Sequence, residues 1–190
     1  GTASSVTVNV TLKKEGASSK SKDYIRSQQL EITRTSGVST LNGLLTQSST
    51  YGIRVDDKEI SLNVPDVVKI LAVYESKTTS TPVLDKVKFV SGLNLNTNAI
   101  IGEKIIGKDS RAIGQIVSIP NVTDVNFVYL NGNKFSIGEV VEFEESGIET
   151  ILQGTEKGNF IDRTDNYTLD KGHKIQYCDY SKIVRKAKSA

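Results

Sequence analysis

The chain has 190 residues, enough for one large domain or two small ones with apolar cores of their own. Its 24 basic and 22 acidic residues leave a net charge of +2, and this balance argues against a surface dedicated to nucleic acid. No apolar run in the sequence approaches the roughly 18 residues that a membrane span needs, and the single cysteine, Cys178, excludes an internal disulfide.

β-branched residues dominate the composition, because Val, Ile and Thr each far outnumber Ala. Such side chains are stiff at χ1 and pack well on a pleated surface, so the composition favours strands. Apolar residues also alternate with polar ones in several segments, as a strand with one buried face requires. These segments are Val6–Leu12, Leu30–Ile32, Tyr51–Val55 and Ile60–Val64.

Two further strands are predicted in the first half of the chain. Val67–Tyr74 is almost continuously apolar, which is typical of a central strand covered on both faces, and Val83–Val90 has the composition of another strand. No window of a dozen residues shows a helical stripe, and the best short helical candidate is 179–188. Polar stretches at 13–22 and 76–82 are predicted to be loops.

The middle of the chain contains an internal repeat. Ile101-Gly-Glu-Lys-Ile begins one copy, and Ile137-Gly-Glu-Val-Val begins the other 36 residues later. The same offset places Ser110 on Ser146. Each copy is predicted to form a strand, a polar turn and a second strand, with the glycine permitting a tight turn or bulge at the start. If the copies are related, Gly102 and Gly138 are predicted to have matching dihedral angles. Coincidence is the alternative explanation of the match.

Between the two copies, Val125–Leu130 is predicted to be a strand that leads into a hairpin turn at Asn131-Gly132. Two repeated hairpins and this strand could close a small barrel or sandwich of about 55 residues. We therefore predict an all-β fold. A β-sandwich-like domain would comprise 1–97 and 156–190, and a small β-barrel or hairpin-repeat module would comprise 98–155, either inserted or in tandem.

Candidate catalytic groups are few. His173 is the only histidine, which excludes a metal site with two histidine ligands from one chain. A nucleophile pair of His173 and Cys178 is disfavoured, because at this spacing on a strand the two side chains point to opposite faces. The adjacent acids Asp56-Asp57 and Glu144-Glu145 lie in predicted turns, whereas glycoside hydrolysis needs two carboxylates that converge on a cleft.

Four oxygen-bearing side chains near the end of the chain are of the kind that calcium prefers. Their spacing matches no EF-hand loop, and Asx turns explain the same residues without a metal. They are Asp162, Asp165, Asn166 and Asp170. We therefore predict no enzyme, no catalytic residue, no cofactor and no metal.

The stretch Phe160–Lys186 contains Tyr167-Thr-Leu-Asp170, then Gly172-His-Lys, then Tyr177-Cys-Asp-Tyr180-Ser-Lys-Ile-Val-Arg-Lys186. It resembles virion structural proteins, of the tail-fibre or baseplate type, from large tailed phages of marine cyanobacteria. In those proteins an "LD-x-G-Q-R … YYDYS-x-hydrophobic-VRK" run recurs between β-rich domains. The block Tyr51–Ser76 is similar to a second part of the same proteins, as are the Ile-Gly-Glu segments.

The chain departs from that pattern at His173, where Gln is expected, and at Cys178, where an aromatic residue is expected. The absence of methionine and the start at Gly1 predict a piece excised from a longer chain, and a processed small protein is the alternative.

The resemblance implies a structural component of a phage tail, located in the virion, that acts as a rigid β spacer and assembly module. Its implied partners are other virion tail proteins and, in the full-length parent, further copies in a homo-oligomer such as a trimer. Tyr167, Tyr177 and Tyr180 are candidate interface residues, with packing inside the domain as the alternative. The rival function is a receptor- or glycan-binding module of a tail fibre, which would serve host attachment by contacting a host surface receptor or glycan. An enzyme comes third.

Overall fold

The computed structural model describes residues 10–11, 13, 15–16, 24–32, 58–62, 64–173 and 180–187. Nearly all regular structure in them is β-strand, so the predicted all-β fold is confirmed. Helix is confined to α1 (Leu95–Asn98) and a 3₁₀ turn (Thr164–Asn166). The strands are β1 (Glu59–Ser61), β2 (Tyr74–Ser76), β3 (Asp85–Phe89), β4 (Lys104–Gly107), β5 (Ile113–Ser118), β6 (Asp124–Tyr129), β7 (Val140–Phe143), β8 (Glu149–Glu156), β9 (Phe160–Asp162), β10 (Tyr167–Asp170) and β11 (Lys182–Arg185).

The chain divides into two compact units. One comprises Ile25–Glu31 and Ile70–Tyr167, and it is called the barrel unit below. The other comprises Gly1–Tyr24, Ile32–Lys69 and Thr168–Ala190.

Six antiparallel strands of the barrel unit close on themselves in the order β3-β6-β5-β4-β7-β8. Closure leaves none of the six strands as an open edge, and inward side chains alternate with outward ones along each strand. Three phenylalanines, Phe89, Phe127 and Phe143, fill the interior together with aliphatic residues. The short helix α1 adds Leu95, which is fully buried against this core.

The internal repeat forms two equivalent hairpins, β4–β5 and β7–β8. Gly102 and Gly138 have φ angles of 89° and 92°, so the predicted match of their backbone conformations is confirmed. The N–H of Gly102 donates to the carbonyl of Ile116 at 2.9 Å, and the N–H of Gly138 donates to the carbonyl of Leu152 at 2.8 Å. The two copies therefore enter their hairpins through the same backbone geometry.

A local two-fold relationship joins the two hairpins where β4 pairs with β7. Ile105 lies opposite Phe143 and Gly107 lies opposite Val141. Exchanging the two copies exchanges these two pairs. The centre of this symmetry lies at the remaining pair, where Ile106 is opposite Glu142.

The barrel takes in β3, which lies in a segment that the sequence analysis assigned to the sandwich-like domain. The reason is that β3 pairs with both β6 and β8 and so completes the closure. The compact unit accordingly extends on both sides of the range 98–155.

A small two-stranded sheet of β2 and β9 belongs to the same unit. The rings of Tyr74 and Phe160 stack there with centroids 3.8 Å apart. In the other unit, β1, β11 and β10 form a three-stranded sheet, in which Ile60 pairs with Ile183 and both side chains are buried.

Several sequence predictions hold for individual elements. Val83–Val90 contains β3, Val125–Leu130 contains most of β6, and Ile60–Val64 overlaps β1. The stretch 76–82 leaves β2 at Ser76 and continues as bends at 77–80 and irregular backbone at 81–82, as expected for a loop. Two other predictions, the strand at Tyr51–Val55 and most of the strand at Val6–Leu12, lie outside the described residues, as does most of the loop at 13–22.

The predicted central strand at Val67–Tyr74 is wrong, because only Tyr74 lies in a strand and Val68 is 73% exposed. Two backbone N–H groups of this segment bond to side-chain hydroxyls. The N–H of Val67 donates to the hydroxyl of Ser181, and the N–H of Val73 donates to that of Thr164. A run of apolar residues does not reveal whether a partner strand is present. Leu30–Ile32 likewise forms no strand.

Two further corrections concern local signals. The helical candidate at 179–188 contains the strand β11, because Ile183 pairs with Ile60 on β1. The predicted hairpin turn at Asn131-Gly132 is also wrong, since β6 pairs with β3 and β5 and not with β7, the next strand of the chain. Asn131 instead accepts from the N–H of Ile113 at 3.1 Å and so braces the start of β5.

Candidate functional site: the carboxylates inside the barrel

The glutamate of each Ile-Gly-Glu sequence points into the barrel unit. Glu103 is 0% exposed and Glu139 is 3% exposed. An ionised carboxylate in such a place is costly unless hydrogen bonds or charges compensate for the lost water. The partners of these two side chains therefore decide what the site can do.

Glu103 is held mainly by the turn of the second copy. Its Oε2 accepts from the backbone N–H groups of Ser146 and Glu145, at 2.8 and 3.1 Å. Its Oε1 accepts from the hydroxyl of Ser146 at 3.0 Å and from the N–H of Ile100 at 2.6 Å. The carboxylate of the first hairpin thus caps the turn of the second.

Glu139 makes the same set of contacts in the opposite direction. Its Oε2 accepts from the backbone N–H groups of Ser110 and Asp109, at 2.9 and 3.2 Å. Its Oε1 accepts from the hydroxyl of Ser110 at 2.9 Å and from the N–H of Ser136 at 2.6 Å. Every donor lies 36 residues from its counterpart at Glu103. We call this exchange, formed by Glu103, Ser146, Glu139 and Ser110, the reciprocal lock.

The lock disfavours proton transfer at Glu139. Burial acts to raise the pKa of Glu139, but the hydrogen bonds from Ser110, Ser136 and Asp109 outweigh it and hold the pKa below the ordinary glutamate value. At neutral pH the side chain is therefore an anion with no proton to donate. Since a carboxylate has about four acceptor positions and four donors fill them, a metal ion or substrate would have to displace the lock.

Gly107 allows the lock to close. A Cβ atom at this position would lie 2.5 Å from the hydroxyl oxygen of Ser110 and 2.6 Å from Oε2 of Glu139. The equivalent position in the second copy holds Phe143, whose ring belongs to the core. The two copies therefore share the lock but differ in how they fill the space beside it.

Of the His173 and Cys178 pair considered in the sequence, the structure describes His173. The imidazole Nε2 of His173 lies 2.8 Å from Oδ1 of Asp66, with both side chains about half exposed. Cys178 lies outside the described residues, as do Asp56 and Asp57.

The adjacent acids Glu144 and Glu145 form separate surface ion pairs. The ammonium of Lys104 lies 2.8 Å from Oε2 of Glu144, and the guanidinium of Arg26 pairs with Glu145. Both contacts of these acids are with cations, whereas glycoside hydrolysis requires two carboxylates that face each other across a cleft.

The oxygen-bearing residues considered for calcium form Asx turns at two positions. Oδ1 of Asp162 accepts from the N–H of Thr164 at 2.8 Å, and Oδ1 of Asp170 accepts from the N–H of Gly172 at 2.9 Å. In the part of the chain that the structure describes, no three His, Cys, Asp or Glu residues are grouped as a metal site would need. Among the same residues, no helix is long and apolar enough to cross a membrane.

Comparison with protein-family models, with curated proteins and with solved structures finds no match for this chain. The Ile-Gly-Glu repeat and its aligned serines are visible in the sequence, but the two glutamates were not predicted to be functional residues. A signal was present, because a serine follows the glutamate by the same interval in both copies.

Proposed function

We propose that this chain is a structural segment of a phage tail, in a fibre or in the baseplate, where it acts as a rigid β spacer and assembly module. The observation that carries the proposal is the reciprocal lock. Glu103 and Glu139, which could be reactive in another setting, each accept four hydrogen bonds and fasten the hairpins to one another. Such an arrangement favours mechanical rigidity over chemistry.

The assignment to a phage tail is supported by the residues that carry the resemblance. Tyr167–Asp170 forms β10, and Lys182–Arg185 forms β11, in one three-stranded sheet. These residues thus serve as strands of a scaffold, which is the role expected of a motif that recurs between β-rich domains.

The distribution of aromatic side chains favours a spacer over a receptor- or glycan-binding module. Among the described aromatic residues, only Tyr24 and Tyr180 are exposed, at 80% and 39%. The rings of Phe127, Tyr129 and Phe135 pack against one another in the barrel unit. A glycan groove would need exposed rings that converge.

The partners that we propose are other tail proteins of the virion and, in the full-length parent, further copies of the same chain, as in a trimer. The exposed ring of Tyr180 is suited to such an interface, and Tyr167 is partly buried. Light scattering of the full-length parent at micromolar concentration is expected to give the mass of an oligomer. A monomeric mass would remove the homo-oligomer from the proposal.

The location in the virion is tested by immunogold electron microscopy with antibodies raised against this chain. We expect gold particles on the tails of intact phage. Labelling of capsids alone, or of no virion part, would overturn the proposed function. Hydrolysis of purified host-envelope glycan by the chain, abolished by substitution of an Asp or Glu, would favour the enzyme instead.

A further inference from the structure

The two copies of the repeat differ in how their entry glycines are covered. Gly102 is buried, and a Cβ atom there would lie 2.5 Å from Cβ of Arg26 and 3.2 Å from the hydroxyl oxygen of Ser27. Gly138 is exposed, and a Cβ atom there would meet nothing within 4 Å. Since the two glycines have the same backbone conformation, the difference lies in what covers them.

The cover over Gly102 is the segment Ile25–Glu31, which belongs to the barrel unit. Its Arg26 pairs with the carboxylate of Glu145, which lies in the turn of the other copy. The segment therefore contacts a glycine from one copy of the repeat and an acid from the other. We call Gly102 and Glu145 the covered site.

The two-fold relationship generates an equivalent pair, Gly138 and Asp109, which we call the open site. Asp109 occupies the position that matches Glu145, and it is also acidic and exposed. Among the described residues, no cation forms an ion pair with the Asp109 carboxylate. The open site thus keeps the acidic character of the covered site, but no segment that the structure describes lies across it.

The open site is also more apolar than its counterpart. Ile137, which precedes Gly138, is 67% exposed, but its match Ile101 is also exposed, at 52%. The difference therefore lies at Ile151, which is 50% exposed and precedes the Leu152 whose carbonyl accepts from the N–H of Gly138. The residue that matches Ile151 in the first copy is Gln115, whose side-chain amide donates to the carbonyl of Gly102 at 3.0 Å. An occupant of the open site would therefore cover apolar surface as well as pair with Asp109.

We propose that the open site binds an extended segment of a partner protein in which an arginine is followed by a small residue. The arginine would pair with Asp109 as Arg26 pairs with Glu145, and the arginine Cβ together with the following small side chain would lie against Gly138, as Cβ of Arg26 and the hydroxyl of Ser27 lie against Gly102. The partner is a different protein, because Ile25–Glu31 of each copy of this chain already covers its own Gly102. The inference rests on the assembly role proposed above and names the chemistry of one partner.

The test uses the intact chain and a fluorescent peptide with the sequence of residues 25–31, IRSQQLE, as the probe. We expect saturable binding of one peptide per chain by fluorescence anisotropy, with NMR shifts at Asp109, Gly138 and Ile151. Asp109→Asn should raise the Kd about threefold to fivefold, as the loss of a surface ion pair does. Asp165→Asn removes the same charge from another exposed position and should leave the Kd unchanged. A peptide with alanine in place of arginine should show the same threefold to fivefold increase in Kd on binding to the unmodified chain.

Three outcomes would overturn the inference. The first is no saturable binding at millimolar peptide. The second is binding that Asp109→Asn leaves unchanged. The third is binding that Glu145→Gln weakens in place of Asp109→Asn, since the peptide would then be replacing the chain's own segment at the covered site. None of these outcomes affects the labelling of phage tails. If labelling fails but peptide binding depends on Asp109, the open site is supported and the proposed role in a phage tail is overturned.

Discussion

Ser110 donates twice to Glu139, from its backbone N–H to Oε2 and from its hydroxyl to Oε1, each at 2.9 Å. Ser146 donates twice to Glu103 in the same way, at 2.8 and 3.0 Å. Each serine lies in the turn of one hairpin and each glutamate at the entry to the other. The two hairpins of the barrel are therefore fastened reciprocally, and loss of either serine hydroxyl should weaken a contact between the copies.

Ser110→Ala and Ser146→Ala are each expected to lower the free energy of unfolding by about 1.5–3 kcal/mol, because each removes a hydrogen bond to a buried charge. Urea denaturation measures both values, and Ser110→Ala should cost more, because the Ser110 hydroxyl also accepts from the N–H of buried Ala112 at 3.1 Å. Ser136→Ala is the control, because Ser136 is exposed and its backbone N–H, which reaches Glu139, is retained. A near-neutral effect of either lock variant would contradict the reciprocal arrangement.

Gly107→Ala is expected to destabilise the barrel by about 1–3 kcal/mol, the usual cost of overpacking. The added methyl would collide with the hydroxyl of Ser110 and the carboxylate of Glu139. Gly132→Ala is the matched control, since a Cβ atom at Gly132 meets nothing within 4 Å. Thermal unfolding followed by circular dichroism distinguishes the two variants, and equal melting temperatures would show that the close approach is unimportant.

The stability of the protein should fall in acid, partly through Glu139. The folded state holds the pKa of Glu139 below its unfolded value, so the stabilisation is fully present above the unfolded pKa and is lost as the pH falls through the folded pKa. In Glu139→Gln, the free energy of unfolding should therefore depend less steeply on pH below about pH 4. Asp165→Asn serves as an exposed control. If the free energy of unfolding of Glu139→Gln depends on pH as steeply as that of the unmodified chain, Glu139 does not contribute to the loss of stability in acid.

Thr150→Val is expected to raise the free energy of unfolding by about 1 kcal/mol. Among the described residues, Oγ1 of Thr150 is the buried side-chain polar atom that lacks a hydrogen-bond partner. A methyl group of similar size would remove that desolvation cost. Thr155→Val on the same strand is the control, since Thr155 is exposed and should change stability little. If urea denaturation shows that Thr150→Val lowers the free energy of unfolding, the Thr150 hydroxyl has a hydrogen-bond partner.

Local patterns in the sequence predicted those features that depend on neighbouring residues. The composition of Val83–Val90 indicated β3, and the repeated Ile-Gly-Glu indicated equal backbone turns at Gly102 and Gly138. The same kind of reasoning was wrong for Val67–Tyr74. An apolar run shows that a segment avoids water, but a strand also needs a partner for its backbone groups.

The sequence by itself determined the β character, the repeat and the glycine conformations, because χ1 stiffness, alternation and freedom at positive φ are properties of short segments. Only the tertiary structure decided that Glu103 bonds to Ser146 and Glu139 to Ser110, although each glutamate has a serine in its own copy. The choice follows from barrel closure, since pairing β4 with β7 brings each glutamate to the turn of the opposite hairpin. The tertiary structure likewise decided that Arg26 covers Gly102, whereas no described residue covers Gly138, because the packing of a distant segment cannot be read from the repeat itself.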